Sequence, residues 1–276
     1  MKQKNSPVAI TKVFQQRVGA KLKAQTDVVA TEEPLEIRVR GRSVAVTMRT
    51  PGHDMELAAG FLLTEGIIRA RADVVEIAPC LQGGQPQNTL NVFLAPRVPV
   101  DFKKLTRHVF ASSSCGLCGK ASIESVHQHF QPVESDDLKI SAKLLAQLPD
   151  KMRAAQKTFA RTGGLHAAAI FDAKGKLLFL REDVGRHNAV DKVIGAAFLK
   201  SKLPLADHVL LVSGRASFEI VQKALAARIP IVAAISAPSS LAVEFAEESG
   251  QTLVGFLRGE AMNLYAHVER ISARRG

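Results

Sequence analysis

The 276-residue sequence contains no tryptophan, a single tyrosine and only three cysteines. Proteins that hold single-stranded nucleic acid by stacking need several aromatic side chains, so this composition argues against that class. Three cysteines, an odd number, do not make a disulfide framework in a chain of this size, which indicates a reducing compartment. Apolar runs of the roughly 18 residues that cross a bilayer are missing, as is the apolar core of a secretory signal. We therefore expect a cytoplasmic protein that binds neither nucleic acid nor membranes.

Acidic residues are absent from the first 26 positions, although the whole chain has 26 Asp and Glu against 37 Lys and Arg. These positions hold six basic residues, which is more than half of the net charge of +11. We predict that residues 1–26 form a basic flexible tail. The positive charge that remains favours a protein that binds phosphate groups over one that reads a base sequence.

The patterns that the sequence does contain change along the chain. Two alternating segments, 35–40 and 43–48, flank a Gly-Arg turn and precede a helical pattern at 55–64. Residues 27–110 are therefore predicted to form a small α+β domain. From residue 136 onwards, apolar strands alternate with helices, which is typical of a mostly parallel sheet covered on both faces. The element order predicts a cytidine deaminase-like α/β/α sandwich over 136–276.

Residues 111–135 lie between these two units and contain Cys115 and Cys118 in a Ser- and Gly-rich run. Such a run has little apolar bulk to bury, so we predict a mobile loop followed by a linker helix at 121–130. The adjacent Lys120 and the helix amides favour a thiolate, because positive charge lowers the pKa of a thiol. The third cysteine, Cys80, stands alone before a Gln-, Gly- and Pro-rich loop, and we interpret it as a passive, half-buried thiol.

Three strand-to-helix turns in the C-terminal unit carry small, hydroxyl-bearing or basic residues. In open α/β sheets such turns meet at one edge, where helix N-termini favour anions. Together with the segment 256–261 after the last predicted strand, they predict a polyphosphate site, although each turn alone is equally well explained as a helix cap. Asp183 and His187 are either an acid–base pair or a hydrogen-bonded pair that fixes its turn. The residues of interest are Arg186, His187, Ser213, Gly214, Arg215 and Ser217, with 236–240 as the third turn.

Zinc chemistry is not supported by the spacing of the possible ligands. A zinc deaminase needs a His or Cys followed by Glu and, one turn later, a Pro-Cys-x-x-Cys motif. His187 is not followed by that Glu, and the next turn has no cysteine. Cys115 and Cys118 supply half of a zinc site with His127 and His129 as candidate partners, but these histidines do not have the usual His-x₃₋₅-His spacing. We expect no structural metal.

Seven segments of the sequence together form a specific signature. They are 33–37 (EPLEI), 59–68 (AGFLLTEGII), 114–119 (SCGLCG), 162–168 (TGGLHAA), 182–187 (EDVGRH), 213–217 (SGRAS) and 253–256 (LVGF). On these segments the chain resembles the FdhD family of formate dehydrogenase accessory sulfurtransferases, from about Glu32 to Tyr265. The Cys-x-x-Cys motif alone would not be specific.

The resemblance implies a sulfur carrier. A cysteine desulfurase hands sulfur to Cys115 as a persulfide, Cys118 assists, and the sulfur passes to the molybdenum or tungsten of bis-molybdopterin guanine dinucleotide before insertion into formate dehydrogenase. GDP is expected to mimic this cofactor. Arg258-Gly259-Glu260 stands where some relatives have a Lys-Pro-Gly-Arg run, which leaves one basic residue fewer. The resemblance places cofactor contacts at Phe256, Leu257, Arg258, Gly259, Glu260 and Ala261, with the residues of the strand-to-helix turns as weaker candidates.

Two other classes of function fit parts of the pattern. The first is a non-catalytic cofactor-binding chaperone with a structural or redox Cys-x-x-Cys motif. The second is a thiol–disulfide oxidoreductase, but the motif does not follow a strand in a βαβ unit as a thioredoxin-like motif would. A homodimer is also expected, because the small N-terminal unit would leave an apolar sheet face exposed.

Overall fold

The structure of the protein is a computed structural model that describes residues 6–16, 18–19, 21–80, 88–102, 130–133 and 138–272. The first part contains β1 (Val8–Gln15), β2 (Lys23–Ala30), β3 (Glu33–Val39), β4 (Arg42–Arg49), α1 (Asp54–Thr64), β5 (Val74–Pro79) and β6 (Thr89–Leu94). The second part contains β7 (Ile140–Ser141), α2 (Ala142–Ala155), α3 (Lys157–Thr162), β8 (His166–Asp172), β9 (Leu177–Asp183), α4 (Arg186–Leu199), β10 (His208–Val212), α5 (Phe218–Ala226), β11 (Ile231–Ala234), α6 (Ser240–Glu248), β12 (Thr252–Arg258), β13 (Ala261–Ala266) and β14 (Ile271–Ser272). None of these helices is both long and apolar enough to cross a bilayer.

The centre of the second part is a six-stranded sheet with the strand order β13-β12-β11-β10-β8-β9. Strands β10, β11 and β12 are parallel, whereas β8 is antiparallel to both of its neighbours and β13 is antiparallel to β12. The predicted cytidine deaminase-like α/β class is confirmed. The expectation of a mostly parallel sheet is wrong, because a hairpin at each end of the sheet makes three of its five pairings antiparallel.

Both faces of this sheet are covered, because the alternating side chains of its buried strands feed two separate apolar clusters. One face packs against α4, α5 and α6, with Ile170, Leu210 and Val232 pointing towards them. The opposite face packs against α2, where Leu145 and Met152 are fully buried. The arrangement is therefore an α/β/α sandwich.

The N-terminal unit adds a four-stranded sheet with the order β4-β3-β6-β5, and α1 lies between that sheet and α4. The two helices touch backbone to backbone. A Cβ atom on Gly60 would lie 1.8 Å from the carbonyl oxygen of Asp191, and one on Gly195 would lie 1.8 Å from that of Glu56. The apolar core runs without interruption from this sheet through α1 and α4 to the six-stranded sheet, so the predicted units 27–110 and 136–276 share one core.

The first residues differ from the predicted basic flexible tail. Strands β1 and β2 pair antiparallel, with Val8 opposite Ala30 and Gln15 opposite Lys23. Ile10 and Phe14 are 77% and 75% exposed on this ribbon. Of the basic residues, Lys12 and Lys23 therefore lie on the strands of a β-hairpin. Composition alone did not reveal this hairpin, because charge says nothing about strand pairing.

Candidate functional site

The carboxyl ends of β9, β10, β11 and β12 lie along one edge of the six-stranded sheet. The last three strands are parallel, and β9 has the same direction because β8 is antiparallel to both β9 and β10. His166, the first residue of β8, lies at the same edge and pairs with Asp183, the last residue of β9. We call this edge the rim. The structure thus brings the three predicted strand-to-helix turns together.

The turn 213–217 continues the sheet before it enters α5. The backbone N–H of Ser213 donates to the carbonyl of Ala167 at 2.9 Å, and the hydroxyl of Ser213 accepts from the Ala167 N–H at 2.9 Å. Gly214 is buried against two rim side chains, since a Cβ there would lie 3.4 Å from His166 Nδ1 and 3.6 Å from Arg186 Cβ. Both residues therefore hold the turn in place, and Arg215 is left exposed at its tip.

The second and third turns are joined by a short parallel bridge between Ala216 and Pro238. The Ala216 N–H donates to Ala237 at 3.2 Å, and the Ser239 N–H donates to Ala216 at 3.0 Å. Ser239 caps α6, because its hydroxyl accepts from the Ala242 N–H at 3.3 Å. The third turn therefore matches the capping interpretation that the sequence left open.

The first turns of α4 and α5 are different. Neither Gly185, which precedes α4, nor Ser217, which precedes α5, caps its helix with a side chain. The Ser217 hydroxyl instead lies 3.3 Å from Nε2 of His187. The Nε of Arg186 is buried and has no hydrogen-bond partner among the described residues. Helix N-termini without a side-chain cap retain N–H groups that can donate to an anion.

His187 is held in its neutral form. Burial and the neighbouring charges of Arg186 and Lys223 lower its pKa to about 4. Its ring also lies 3.8 Å from a carboxylate oxygen of Glu219, in the first turn of α5, which the sequence analysis did not single out. At neutral pH the His187 ring therefore offers one hydrogen-bond donor and one acceptor rather than a positive charge.

Asp183 and His187 do not form the acid–base or hydrogen-bonded pair that the sequence suggested. Asp183 is fully buried, and Nζ of Lys192 lies 2.6 Å from its Oδ2. Its Oδ1 accepts from the Gly185 N–H at 2.8 Å and from Asn188 Nδ2 at 3.0 Å. Asp183 thus fixes the β9–α4 turn with other partners, because its side chain points into the core and that of His187 points towards α5.

The segment 256–261 does not simply follow the last strand. It contains the end of β12, the turn of a hairpin and the first residue of β13. Phe256 has a positive φ of 51° and donates its N–H to Ser236 at 3.1 Å, and Nε of Arg258 donates to Ile235 at 2.9 Å. Both contacts tie this hairpin to the third turn of the rim.

The six residues of this segment that were predicted to contact the cofactor differ in their exposure to solvent. Leu257 is fully buried in the apolar cluster on the α2 face, so its side chain is directed away from solvent. Phe256 is 39% exposed, and the guanidinium carbon of Arg258 lies 5.9 Å from the centre of its ring. The other three residues, Gly259, Glu260 and Ala261, are exposed at the end of the hairpin.

Cys115, Cys118 and the proposed zinc partners His127 and His129 lie outside the described residues, as does most of the predicted loop and linker helix 111–135. The chain on either side is packed against the core. Before it, the Phe102 ring lies 4.4 Å from the guanidinium carbon of Arg42. After it, the N–H of Val133 donates to the carbonyl of Ser249 at 2.8 Å. Within the described ranges, no group of three His, Cys, Asp or Glu side chains is placed to hold a metal ion.

Cys80 is 6% exposed. The Glu36 carboxylate raises the pKa of the Arg38 guanidinium most strongly, and burial lowers this pKa. The sulfur of Cys80 also interacts with the Arg38 guanidinium and raises its pKa slightly. Cys80 is therefore a buried structural neighbour of an ion pair, more enclosed than the half-buried thiol that the sequence suggested.

Comparisons with known proteins agree with the resemblance stated above. The sequence model of the FdhD/NarQ family matches residues 30–272. The chain is 51% identical over 269 residues to a protein of Streptomyces coelicolor, covering 95% of both chains, and 54% identical over 255 residues to one of Mycobacterium tuberculosis, covering 89% of this chain and 92% of the other. It is 44% identical over 249 residues to a protein of Saccharolobus solfataricus, covering 89% and 91%. Each of these relatives is named sulfur carrier protein FdhD.

A solved structure has the same fold. A crystal structure of a protein assigned as a formate dehydrogenase accessory protein from Desulfotalea psychrophila superposes with a TM-score of 0.77 at 26% identity. The similarity covers 97% of this chain and 100% of that chain.

Proposed function

Because this chain belongs to the FdhD/NarQ family, we propose that it is a sulfur carrier that serves formate dehydrogenase. The observation that carries the proposal is the family match over residues 30–272, which includes the Cys-x-x-Cys motif, together with relatives at about half identity that are named sulfur carriers. The resemblance of the fold to a formate dehydrogenase accessory protein supports formate dehydrogenase as the enzyme that this sulfur carrier serves.

The sulfur is carried on Cys115. Its thiolate attacks the terminal sulfur of a persulfide on a cysteine desulfurase, the sulfur–sulfur bond of the donor breaks, and the donor thiolate leaves. The product is a persulfide on Cys115. This step requires an accessible thiolate, which is favoured by nearby positive charge such as that of Lys120. It makes the protein a sulfurtransferase in the sense that it forms a covalent intermediate.

Cys118 completes the transfer in this scheme. Its thiolate attacks the inner sulfur of the Cys115 persulfide, a disulfide forms between the two cysteines, and the outer sulfur leaves as hydrosulfide with the electron pair of the broken bond. The hydrosulfide then becomes a ligand of the metal in the cofactor. A thiol reductant must afterwards restore the two cysteines. If Cys118 only tunes the pKa of Cys115, no disulfide accumulates.

The rim is the proposed binding site of the bis-molybdopterin guanine dinucleotide. Its phosphates suit the N-terminus of α4, which has no side-chain cap, and the guanidinium groups of Arg186, Arg215 and Arg258, because planar guanidinium groups bind phosphate oxygens with paired hydrogen bonds. The rest of the rim, including the neutral His187, supplies hydrogen bonds to uncharged parts of the cofactor.

The test of the sulfur-carrier role is to measure cyanide-labile sulfur after incubation with a cysteine desulfurase and cysteine. The wild type and the Cys80→Ala variant, which lacks the buried cysteine outside the motif, should acquire about one labile sulfur per chain. Cys115→Ala should acquire none, and Cys118→Ala should retain its sulfur for longer. Equal loading of wild type and Cys115→Ala would remove Cys115 from this role.

The competing chaperone function is tested in a strain that lacks the protein. If a variant with both Cys115→Ala and Cys118→Ala restores formate dehydrogenase activity, the protein acts by presenting the cofactor and not by carrying sulfur. We expect no restoration, whereas Cys80→Ala should restore activity fully.

A further inference from the structure

A cavity of about 310 Å³ lies at the edge of the six-stranded sheet opposite to the rim. Its walls come from the segment after α1, the segment after α4 and the end of α5. The last two lead into the N-terminal ends of β10 and β11, whereas the rim is formed at their carboxyl ends. The cavity is thus separate from the proposed cofactor site. Its volume is at the lower end of the range for small-molecule sites, roughly 300–1,000 Å³.

The lining residues are of two kinds. Phe198, Leu203 and Pro204 are apolar, and Phe198 is 2% exposed. Arg69, Arg71 and Arg228 are basic, and no lining residue in the described part of the chain is acidic. We call this site the arginine cavity. Three positive charges and no negative one around the same cavity favour an anion there.

The arginines retain donors that are directed to no described partner. Nη1 of Arg71 donates to the Val74 carbonyl at 2.7 Å, and Nη1 of Arg228 donates to the Pro132 carbonyl at 3.0 Å. Each of these hydrogen bonds uses only the Nη1 nitrogen of its arginine. A guanidinium group has five N–H donors on three nitrogens. The two arginines are therefore anchored at one nitrogen while the remainder of each group is available.

The acidic side chain of the segment that carries Arg69 and Arg71, that of Asp73, already has other partners. Oδ2 of Asp73 accepts from the backbone N–H groups of Arg69 and Ala70, each at 2.9 Å. Its Oδ1 lies 2.9 Å from Nη2 of Arg97, which is outside the cavity. Asp73 therefore fixes the segment that carries Arg69 and Arg71 but does not neutralise their guanidinium groups.

Compensation of helix dipoles is the other explanation for arginines at this place, because α4 and α5 both end beside the cavity. Such compensation acts through space and needs no hydrogen bond, so it accounts for the positive charge near these helix ends. The hydrogen bonds of Arg71 and Arg228 go to Val74, which begins β5, and to Gln131 and Pro132, and not to carbonyls of the last helical turns. The last carbonyls therefore do not use the guanidinium N–H groups, which leaves these groups to an anion.

We propose that the arginine cavity binds a small organic anion. Its oxyanion group, a phosphate or a carboxylate, lies against the guanidinium groups of Arg69, Arg71 and Arg228, and its ring or short apolar body lies against Phe198 and Leu203. Charge-assisted hydrogen bonds to guanidinium groups give the site its preference for an oxyanion. The apolar wall gives it a preference for an organic anion over inorganic phosphate.

Isothermal titration calorimetry of the full-length protein tests this, with phenyl phosphate as the probe. Benzoate, inorganic phosphate and benzyl alcohol separate the contributions of the phosphate, the carboxylate and the ring. We expect phenyl phosphate to bind at least about tenfold more tightly than inorganic phosphate, and benzyl alcohol not to bind measurably. Benzoate binding as tight as that of phenyl phosphate would identify the carboxylate as an equally good anion.

Variants assign the binding to the cavity. Arg69→Gln should weaken phenyl phosphate binding by about tenfold, because one charge-assisted interaction is lost. Arg161→Gln removes the same charge from the exposed last turn of α3, outside both sites, so this variant should bind phenyl phosphate within about twofold of the wild type. Arg69 is exposed, and its described hydrogen bond uses the backbone N–H, so folding should be unaffected.

The proposal fails if phenyl phosphate does not bind at millimolar concentration, or if Arg69→Gln binds it no more weakly than Arg161→Gln does. It also fails if a polyglutamate peptide binds through Arg69 while none of the small anions does, since the site would then be a docking surface for an acidic protein segment. None of these outcomes bears on the loading of sulfur onto Cys115, so the two proposals fail separately.

Discussion

Lys192 and Asp183 form a buried ion pair in which Nζ lies 2.6 Å from Oδ2, with the two side chains 1% and 0% exposed. Both also bind Thr50, the residue between β4 and the start of the loop to α1. Lys192 donates to its carbonyl at 2.7 Å, and Asp183 accepts from its N–H at 3.1 Å. One ion pair therefore joins the N-terminal unit to the turn that presents Arg186 and His187 at the rim.

Replacement of one partner of this pair should be costly. Asp183→Asn keeps the shape of the side chain but leaves the Lys192 ammonium buried without its counter-charge, so we expect the free energy of unfolding to fall by about 3–5 kcal/mol. Urea unfolding followed by circular dichroism measures the change. Glu36→Gln, which removes a carboxylate from a partly exposed pair with Arg38, should cost no more than about 1 kcal/mol. Similar costs for both variants would contradict the structural role of the buried pair.

The contact between α1 and α4 predicts that a glycine-to-alanine substitution is costly at Gly60 and nearly neutral at Gly164, which lies outside this contact. Gly60→Ala places a Cβ 1.8 Å from the Asp191 carbonyl oxygen and forces the helices apart, although alanine is the better helix former. We expect a loss of about 2–4 kcal/mol in the free energy of unfolding. In Gly164→Ala the nearest atoms to the new Cβ lie at 3.7 and 3.8 Å, so stability should change by less than about 0.5 kcal/mol. A stabilised Gly60→Ala protein would rule out the close approach.

The proposed cofactor site predicts that GDP binds at the rim and that the binding depends on exposed arginines. Arg215→Gln should weaken GDP binding by about tenfold, because one guanidinium–phosphate interaction is lost. The matched variant Arg97→Gln has the same charge change on another surface and should bind GDP like the wild type. Binding should also weaken as salt is added. If Arg97→Gln and Arg215→Gln behave alike, the effect is one of net charge and the rim is not the site.

The lowered pKa of His187 predicts a pH dependence of stability. Its folded pKa is about 4 and its ordinary value is 6.5, so the unfolded chain takes up the proton first as the pH falls. The stabilisation is complete above pH 6.5 and is lost between pH 6.5 and 4, amounting to about 1–3 kcal/mol after allowance for solvent screening. His187→Gln should flatten the free energy of unfolding over this range, as measured by urea titrations at several pH values.

His166 and Glu56 also have shifted pKa values and contribute to the pH dependence of stability. Burial and the charge of Arg186 also lower the pKa of His166, so part of the slope should remain in His187→Gln. Burial raises the pKa of Glu56, but hydrogen bonds from Arg181 and His53 outweigh burial and lower this pKa to about 2. The contribution of Glu56 is therefore lost only as the pH falls from 4.5 to 2, almost entirely below the range in which His187 acts. An unchanged slope in His187→Gln would show that this histidine is not kept neutral by the fold.

Local patterns in the sequence predicted elements whose ends the structure confirms to within two residues. The alternating segments 35–40 and 43–48 correspond to β3 and β4, and the helical pattern 55–64 corresponds to α1, because alternation and helical periodicity report directly which side chains are buried. Pro149 is a residue that ordinarily ends a helix, but α2 continues through it, since the burial of Leu145 and Met152 outweighs the hydrogen bond that proline lacks.

The sequence by itself determined where α1 and the strands β3 and β4 form, that three turns with small, hydroxyl-bearing and basic residues follow strands, and which family the chain resembles. Only the tertiary structure decided that β8 is antiparallel to β10 and that β13 is antiparallel to β12. It also decided that 256–261 spans a hairpin whose Leu257 side chain is buried in the core, and that Asp183 pairs with Lys192 and not with His187. Backbone periodicity depends on neighbours along the chain, whereas strand direction and buried pairing depend on which distant segments pack together. That choice is made by the whole core, so no local stretch of sequence contains it.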